Sequence, residues 1–448
     1  MSSQEIAVPK DITKPPLTDA IAEAERLVAS AEFAETEQDL AEGYDYLAGS
    51  IAAIIQLVRG RSLSHPNFVT STGPSTKMGL DNPDTLYYHA DVEPTGTYVV
   101  RGRRGTTTDL SFQVLRGGDY TPSAVPGGED AFDDRRLTIA DDGTFELTFG
   151  PAIPDPPENY FALGEGASML AVREVYSDWT ERKGSITIER VDTVGTAPEE
   201  ADLARVARRY ATAGKMLTAR INTWFNFPKW FYLDEPVNTF TPPPRQTPGG
   251  LSTQFSSVGH YRLGPDEAMV ITIPKSDAPY QGFQLGSMWY ISLDYVNHQT
   301  SLNSAQAQVD PDGMIRMVVS HRDPGGVANW IETTGRQQGI LQFRWQRSDS
   351  PIGPELGPTA TVVASTTWPR TSRTSHTTRS TTPAGPNGSQ RGSAPSPRGC
   401  WDDSGIRTPR RQGGRRLGCG SRVGGARSAF ARPPRALGWS SPPEPSHG

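Results

Sequence analysis

Three polar segments of the sequence contain side-chain types that bind or activate small molecules. In DNPDTLYYHADV a turn leads into an extended run that places Tyr87 and His89 on one face. SLDYVNHQTSLN and SHRDPGGVANW each run from an alternating apolar strand into a polar loop, where functional side chains are often found. The candidate ligand-binding residues from these segments are Asp84, Tyr87, His89, Asp294, Asn297, His298, His321, Asn329 and Trp330.

The histidines of the second and third segments are the candidate catalytic groups. His298 or His321 could act as a general base, and Asp323 is a third catalytic candidate. With Asp294, the two histidines also match a weak transition-metal site in ligand type, but no local spacing demands one, so no cofactor is predicted. The competing interpretation is that each histidine only fixes its own loop through local hydrogen bonds.

Composition excludes several classes of chemistry. The familiar nucleophile-elbow, phosphate-loop, zinc-protease and dinucleotide motifs are absent from the sequence. Both cysteines, Cys400 and Cys419, lie near the C-terminus, which excludes thiolate, disulfide and cysteine–zinc chemistry from residues 1–363. The sequence begins without a secretory signal, and its longest apolar run, Ile51–Val58, is too short to span a bilayer, so we predict a cytoplasmic protein.

Charge is distributed unevenly along the chain. From residue 364 onward, 14 arginines, no lysine and three acidic residues give a formal +11, so the −6 of the whole chain leaves −17 for residues 1–363. An acidic body argues against binding to nucleic acid or to an anionic membrane, because both need clustered cations. The predicted partner is therefore a small-molecule ligand.

Hydrophobic periodicity indicates which elements position these residues. Apolar residues recur every three to four positions over residues 17–60 and again from Pro198, where we expect a helix that Pro228 stops. Elsewhere the period is two, with a hairpin turn at Asp141–Thr144 that joins strands at 137–139 and 145–149. The predicted segments are a loose N-terminus (1–16), a helical arm (17–60), a first β-sandwich (64–195), a crossover helix with an aromatic and proline-rich connector (196–250), a C-terminal domain (251–363) and a disordered tail (364–448).

The second β region determines whether the two candidate histidines can meet. We expect strands at 282–293 and 314–320, with an intervening strand at 304–309, to form one antiparallel sheet. Three antiparallel strands would bring His298 and His321 to the same rim.

The polar segments also carry a resemblance to a known family. NPDTLYYHADV, GFQLGSMWYISLDYVNHQTSLN and VVSHRDPGGVANWIETTGRQQGILQFRW resemble hallmark blocks of the domain of unknown function 1214, which is often paired with the domain of unknown function 1254. The similarity covers most of residues 18–363. It implies a jelly-roll-like C-terminal β-sandwich but no established activity and no agreed catalytic residues. Members often occur near lipid- or sterol-processing genes and sulfotransferases, which is an association only.

The C-terminus departs from that family. After LQFRWQ, relatives continue with a stretch resembling D-L-A-x-H-L-P, whereas this chain soon reads TTWPRTSRTSHTT. The arginine-rich, lysine-free composition is typical of GC-rich DNA read out of frame. We interpret residues 364–448 as a frameshifted or mispredicted C-terminus.

Together these patterns predict a mainly β fold with helical additions (α+β), in which a helical arm and a smaller β-sandwich precede a jelly-roll-like β-sandwich. The expected function is binding of a small amphipathic or saccharide-like ligand in a pocket of the β-sandwich. A hydrolase or lyase using His298 and His321 is the alternative. A third is a scaffold for a lipid- or sterol-processing enzyme, in which helix 40–58 could also mediate homo-oligomerisation.

Overall fold

The computed structural model describes residues 16–60, 62–117, 127–198, 202–241, 245–246, 254–348 and 351–364. The predicted loose N-terminus, apart from Pro16, and the predicted tail, apart from Ala364, lie outside these residues. The fold is mixed α+β, with three helices and four sheets in the described part. None of the described helices is both long and apolar enough to cross a bilayer.

The predicted helical periodicity is confirmed. The helices are α1 (Pro16–Ala29), α2 (Glu37–Gly60) and α3 (Leu203–Phe231). Their apolar faces meet in one cluster that also includes Trp289 and Ile291. The prediction that Pro228 ends α3 is wrong, because the backbone N–H of Tyr232 still bonds to the Pro228 carbonyl at 2.8 Å, and only the donor of Pro228 itself is missing.

Two neighbouring positions on the apolar face of α2 give a direct test of this packing. Leu47 is 3% exposed inside the helical cluster, whereas Ile51 is half-buried at its edge. We expect Leu47→Ala to lower the free energy of unfolding by about 2–5 kcal/mol and Ile51→Ala to cost clearly less. Chemical denaturation measures both. Losses below about 0.5 kcal/mol in both variants would mean that this face is not buried and would favour the scaffold interpretation.

The first β region forms two four-stranded sheets that share one hydrophobic core. Leu110, Phe112 and Val114 point into that core, as their alternation predicts. Residues 137–139 do not form a strand but pack against the core. The strands are β1 (Thr85–Asp91), β2 (Tyr98–Arg103), β3 (Asp109–Arg116), β4 (Gly127–Asp133), β5 (Thr144–Gly150), β6 (Tyr160–Ala162), β7 (Ala167–Val175) and β8 (Ser185–Arg190), in the orders β1-β7-β3-β4 and β6-β5-β2-β8.

The second β region forms a five-stranded and a four-stranded sheet around a second core. Its strands are β9 (Arg245–Gln246), β10 (Phe255–Arg262), β11 (Glu267–Pro274), β12 (Tyr280–Gly286), β13 (Ser301–Asn303), β14 (Met314–Ser320), β15 (Trp330–Glu332), β16 (Gln338–Gln346) and β17 (Thr359–Ala364). The sheet orders are β13-β12-β16-β10-β9 and β15-β14-β11-β17.

These two regions repeat one topology. The order β1-β7-β3-β4 corresponds to β10-β16-β12-β13, and β6-β5-β2-β8 corresponds to β15-β14-β11-β17. Both copies contain one parallel pair, β5 with β6 and β14 with β15. Even side-chain bonds recur. The Nδ2 group of Asn159 donates to carbonyls 21 and 13 residues earlier, and so does that of Asn329. The chain therefore contains an internal structural duplication, and we call its copies the first and second halves.

The duplication explains why the expected three-stranded arrangement is wrong. The strand predicted for 282–293 ends at Gly286, and the chain reverses direction before Ser292. No strand forms at 304–309, where the Asn303 side chain accepts bonds from the amides of two following turn residues. β12 and β14 consequently lie in different sheets, as β3 and β5 do in the first half.

Candidate functional site

The candidate site lies where the two halves meet, and polar side chains dominate that junction. The faces of β3 and β16 that point away from the two cores carry buried polar residues instead of apolar ones. One bond between the halves lies beside these faces, from Arg347 to the Thr108 carbonyl at 2.8 Å. The buried polar residues of these two faces include Ser111, Gln113, Gln342 and Gln346.

Asp84 joins the halves directly. Its carboxylate is 4% exposed and accepts hydrogen bonds from Trp179 Nε1 at 2.9 Å, the Tyr280 hydroxyl at 2.9 Å and Asn303 Nδ2 at 3.0 Å. Burial raises the pKa of Asp84 above its ordinary value, although these three bonds oppose the rise. Asp84 was predicted to bind a ligand. Its carboxylate instead forms hydrogen bonds that hold the two halves together.

A matching arginine–glutamine pair occupies equivalent positions in the two halves. Arg173 on β7 lies between Tyr87 on β1 and Ser111 on β3, and its Nη1 donates to Gln113 Oε1 at 2.7 Å. The equivalent residue on β16 is Arg344, whose Nη1 donates to the equivalent glutamine of β12, Gln284. Both pairs lie on the junction faces of their sheets.

The two arginines differ in what else they bind. Arg344 is 7% exposed and also donates to the Leu80 carbonyl and to Gln342 Oε1, so its role is to fix the loop that precedes β1. Arg173 is half-buried, and Gln113 is the single side-chain hydrogen-bond partner that it has within the described residues. The guanidinium of Arg173 therefore has donors available that its counterpart has already used.

The loop held by Arg344 has an unusual backbone. Leu80 and Tyr290 adopt the left-handed region, with φ of 50° and 58°, and the Leu80 amide donates to the Tyr290 carbonyl at 2.6 Å. Leu80 also packs against Gly286, where any side chain would collide with it. Such conformations cost about 1–3 kcal/mol each and concentrate at functional sites.

Four cations surround this loop without a carboxylate partner. We call Lys77, Arg173, Arg220 and Arg344 the cationic cluster, and none of them forms an ion pair within the described residues. Lys77 Nζ instead donates to the carbonyls of Ser292 at 2.9 Å and Leu293 at 2.6 Å, and Arg220 donates to the carbonyls of Thr76 and Lys77. Burial lowers the pKa of Lys77. Carboxylates beyond ion-pair distance also act on the cluster: Asp81 on Lys77 and Arg220, and Asp109 on Arg173.

Tyr87 and His89 lie beside this cluster. Burial, together with the charges of Arg173 and Arg220, lowers the pKa of His89 to about 4, so its imidazole is neutral at pH 7. The Tyr87 ring centroid is 5.9 Å from the Arg173 guanidinium, and its hydroxyl accepts from the Asn82 amide at 2.8 Å. Both side chains are half-buried, and loss of hydration raises the pKa of the Tyr87 hydroxyl.

The second predicted segment is placed differently. Asp294 closes its own turn, accepting from Asn297 Nδ2 at 2.8 Å. Burial opposes ionisation of this carboxylate, but the bonds from Asn297, the charge of Lys77 and the bond from Val296 hold its pKa below the ordinary value. His298 Nδ1 lies 3.0 Å from Glu332 Oε2, so this histidine does have a carboxylate partner.

Most of the third segment ties down loops. Asn329 bonds to backbone groups on both sides of its strand, Trp330 Nε1 donates to Ser320 Oγ at 2.9 Å, and Asp323 accepts from the Gly325 amide at 2.8 Å. His321 is exposed, and its ring lies close to Gly335. If Gly335 had a Cβ, that atom would be 3.6 Å from Cε1 of His321.

His298 bonds to Glu332 and His321 lies close to Gly335, so both histidines border the segment 332–335, although by a route that the sequence did not predict. Whether the two histidines share a pocket stays a prediction. No group of three or more His, Cys, Asp or Glu side chains in the described part is arranged to hold a metal ion.

Sequence reasoning missed the whole cationic cluster. Arg173 and Arg344 are embedded in the apolar strands MLAVREV and ILQFRWQ, where a single arginine resembles an ordinary solvent-facing residue. Aligning these two strands as copies of one another would have matched the arginines. The internal repeat was therefore the signal that could have revealed them.

A void inside the first half offers a poorer site. It lies between the two sheets, is lined mainly by apolar side chains with Tyr88 and Glu174, and has a volume of about 10 Å³, room for about one water molecule. Small-molecule pockets usually span about 300–1,000 Å³. The junction, with its unpaired cations, is the better candidate.

Solved structures confirm that this fold occurs elsewhere. A crystal structure of an uncharacterised protein from Burkholderia cenocepacia matches with a TM-score of 0.70 and 25% identity, over 78% of this chain and 96% of that one. A protein from Vibrio parahaemolyticus aligns at 11% identity over 71% of this chain and 98% of its own, but its TM-score of 0.41 is too low to support an argument. No protein-family model and no curated protein matches the sequence.

Proposed function

We propose that this protein binds a small amphipathic ligand at the junction of its halves, through an acidic group held by Arg173. The observation that carries the proposal is the contrast between equivalent arginines. Arg344 donates hydrogen bonds to the Leu80 loop. Arg173 is half-buried, and Gln113 is its one side-chain hydrogen-bond partner within the described residues. An arginine that has guanidinium donors available, and that lies within electrostatic range of a second arginine, Arg344, is suited to recognise an acidic group.

The surroundings of Arg173 support an amphipathic ligand. Tyr87 supplies aromatic surface, with its ring centroid 5.9 Å from the Arg173 guanidinium. His89, being neutral at pH 7, can donate or accept a hydrogen bond without adding charge. Aromatic walls with a few convergent polar groups are the usual composition of small-molecule sites.

Substitution of Arg173 tests the proposal. We expect the full-length protein to bind at least one of two aromatic anions, benzoate or phenyl phosphate, and Arg173→Gln to weaken that binding about 10- to 100-fold, since a charge-assisted bond contributes about 1.5–3 kcal/mol. Isothermal titration calorimetry measures both. Arg316→Gln is the matched control, because Arg316 pairs with Asp310 and Asp312 on the exposed surface. Equal affinities in the wild type and Arg173→Gln would refute the proposal.

A hydrolase is the second candidate, and the contact between His298 and Glu332 favours it. A carboxylate on Nδ1 orients an imidazole so that Nε2 can act as a general base. If this candidate is right, His298→Ala should lower the hydrolysis of p-nitrophenyl acetate by about 100-fold or more, with the melting temperature retained. His321→Ala is the comparison. Hydrolysis no faster than in buffer, or unaffected by His298→Ala, would exclude this role for His298.

We also propose distant membership of the domain of unknown function 1214 family, with a jelly-roll-like second half. The three sequence blocks that resemble the family support this proposal, as does their position. Two of them supply Tyr87, His89 and Arg344, which lie at the junction of the halves. A profile built from homologues of this chain would test the membership.

A further inference from the structure

The strand β17 forms one edge of its sheet, where β11 is its neighbour on the inner side. Alternate residues of an edge strand point their backbone N–H and C=O groups away from the sheet, where they can pair with another strand. Within the described residues, no hydrogen bond reaches the outward-pointing backbone groups of residues 359–363. These five residues therefore present an open pairing edge.

The duplication supplies a direct comparison for this edge. β8 holds the equivalent position in the first half, at the end of the order β6-β5-β2-β8. In both halves a threonine hydroxyl donates to a carbonyl of the neighbouring strand, from Thr187 at 3.2 Å and from Thr359 at 3.3 Å, and this recurring bond aligns β8 with β17. Two positions further along each strand, Glu189 therefore corresponds to Thr361.

The two equivalent edges differ in charge. Glu189 is exposed and forms an ion pair with Arg101 of the neighbouring strand at 2.6 Å. The next residue, Arg190, donates to the Leu63 carbonyl at 3.2 Å, so another segment of the chain lies against the end of β8. Residues 359–364, in contrast, read TATVVA and contain no charge, proline or glycine. Charges protect an edge strand from pairing, whereas short uncharged segments rich in β-branched residues favour it.

We propose that two copies of this protein pair through β17, antiparallel and about a two-fold axis at Thr361, so that two four-stranded sheets join into one. The outward backbone groups of residues 359–363 then find partners in the second copy. Thr361 lies opposite Thr361 of the partner subunit, and small or β-branched side chains oppose each other with no like charges between them. Because the two-fold contact uses both open edges, the assembly closes at a dimer.

Charges of opposite sign at position 361 test this pairing in the full chain. We expect the wild type to form a reversible dimer with a dissociation constant on the order of 10–100 μM, because one short strand per subunit makes a small interface. Thr361→Glu and Thr361→Lys should each weaken dimerisation at least about tenfold, since like charges then meet at the axis. An equimolar mixture of the two variants should dimerise again. Sedimentation equilibrium measures all four samples.

Both variants should fold, because Thr361 is exposed and its counterpart in β8 is a glutamate. Thr187→Glu is the matched control, since it adds the same charge to an exposed position of β8, and it should change the dissociation constant less than about twofold. Equal weakening by this control would indicate general charge repulsion and would overturn the inference.

Three further results would also overturn it. They are a wild type that stays monomeric up to about 500 μM, dimers that persist in both Thr361 variants, and a mixture of those variants that stays monomeric. The test is independent of the ligand proposal, because Arg173 lies on β7 and β17 belongs to a different sheet.

Discussion

Asp84→Ala is expected to lower the free energy of unfolding by about 3–5 kcal/mol, because hydrogen bonds to a charged group contribute about 1.5–3 kcal/mol each. The carboxylate is the common acceptor for Trp179, Tyr280 and Asn303, so its removal takes one bond from each. Tyr280 then keeps only Asn82, Asn303 keeps only the Ser177 carbonyl, and Trp179 Nε1 loses its partner. Because these donors come from both halves, the loss should also loosen the junction. Urea denaturation followed by tryptophan fluorescence measures the change.

Two comparisons show whether the effect belongs to this acceptor. Asp84→Asn keeps the shape and one acceptor oxygen, so it should cost less than Asp84→Ala. Asp323→Ala, at an exposed aspartate that accepts from its own loop, should cost under about 0.5 kcal/mol. A loss below about 1 kcal/mol in Asp84→Ala would mean that the donors find other partners and that the halves do not depend on this residue.

A fall in stability between pH 4 and pH 7 is the second large effect, and Asp109 is its source. This side chain is fully buried, and burial raises the pKa of its carboxyl from 3.8 to about 7, although Arg347 Nε at 3.8 Å opposes the rise. The folded state therefore keeps a proton that the unfolded state has released. The stabilisation is complete below the unfolded pKa and is lost as pH rises through the folded one.

Asp109→Asn should remove this dependence. At about 1.4 kcal/mol per pKa unit, the wild type should lose up to roughly 4 kcal/mol between pH 4 and pH 7 relative to the variant. Unfolding free energies of both proteins at several pH values give the difference, in which the other titrating groups cancel. A difference that does not vary with pH would show that Asp109 ionises normally. Asp323→Asn controls for the change of an aspartate to an amide.

Local features of the fold were predictable because local chemistry determines them. The apolar stripes of α1 and α2 fix both helices, and the Asp310–Gly313 turn forms as its residues predict, with Gly313 at a φ of 80° and its amide 2.9 Å from the Asp310 carbonyl. Alternation in DTLYYHAD also correctly placed Tyr87 and His89 on the face opposite Tyr88, which packs on the core. Each of these needs only a few neighbouring residues.

The site itself depended on long-range pairing, which a local pattern does not encode. β1 bonds to β7 more than 80 residues away, and that pairing alone brings Tyr87 beside Arg173. Lys77 lies in a loop and Arg220 in a helix, so the two-residue alternation of a strand could not predict which way their side chains face. Asn329 and Trp330 were predicted to bind a ligand because polar residues at a strand end often do. Such residues can equally bond to neighbouring protein groups, as Asn329 does to the Gln308 carbonyl and Trp330 to Ser320 Oγ.

The duplication has a consequence for how the chain acquires its structure. Every strand of the first half finds all its sheet partners between residues 85 and 190, and the strands of the second half find theirs between residues 245 and 364. Among the described strands no sheet is shared, so each half can condense around its own nucleus without waiting for the other. Docking is then a separate kinetic step that closes around Asp84 and the Leu80 loop. If the first half of one chain docks on the second half of another, the same contacts form. The duplication therefore allows domain-swapped dimers to form at high concentration.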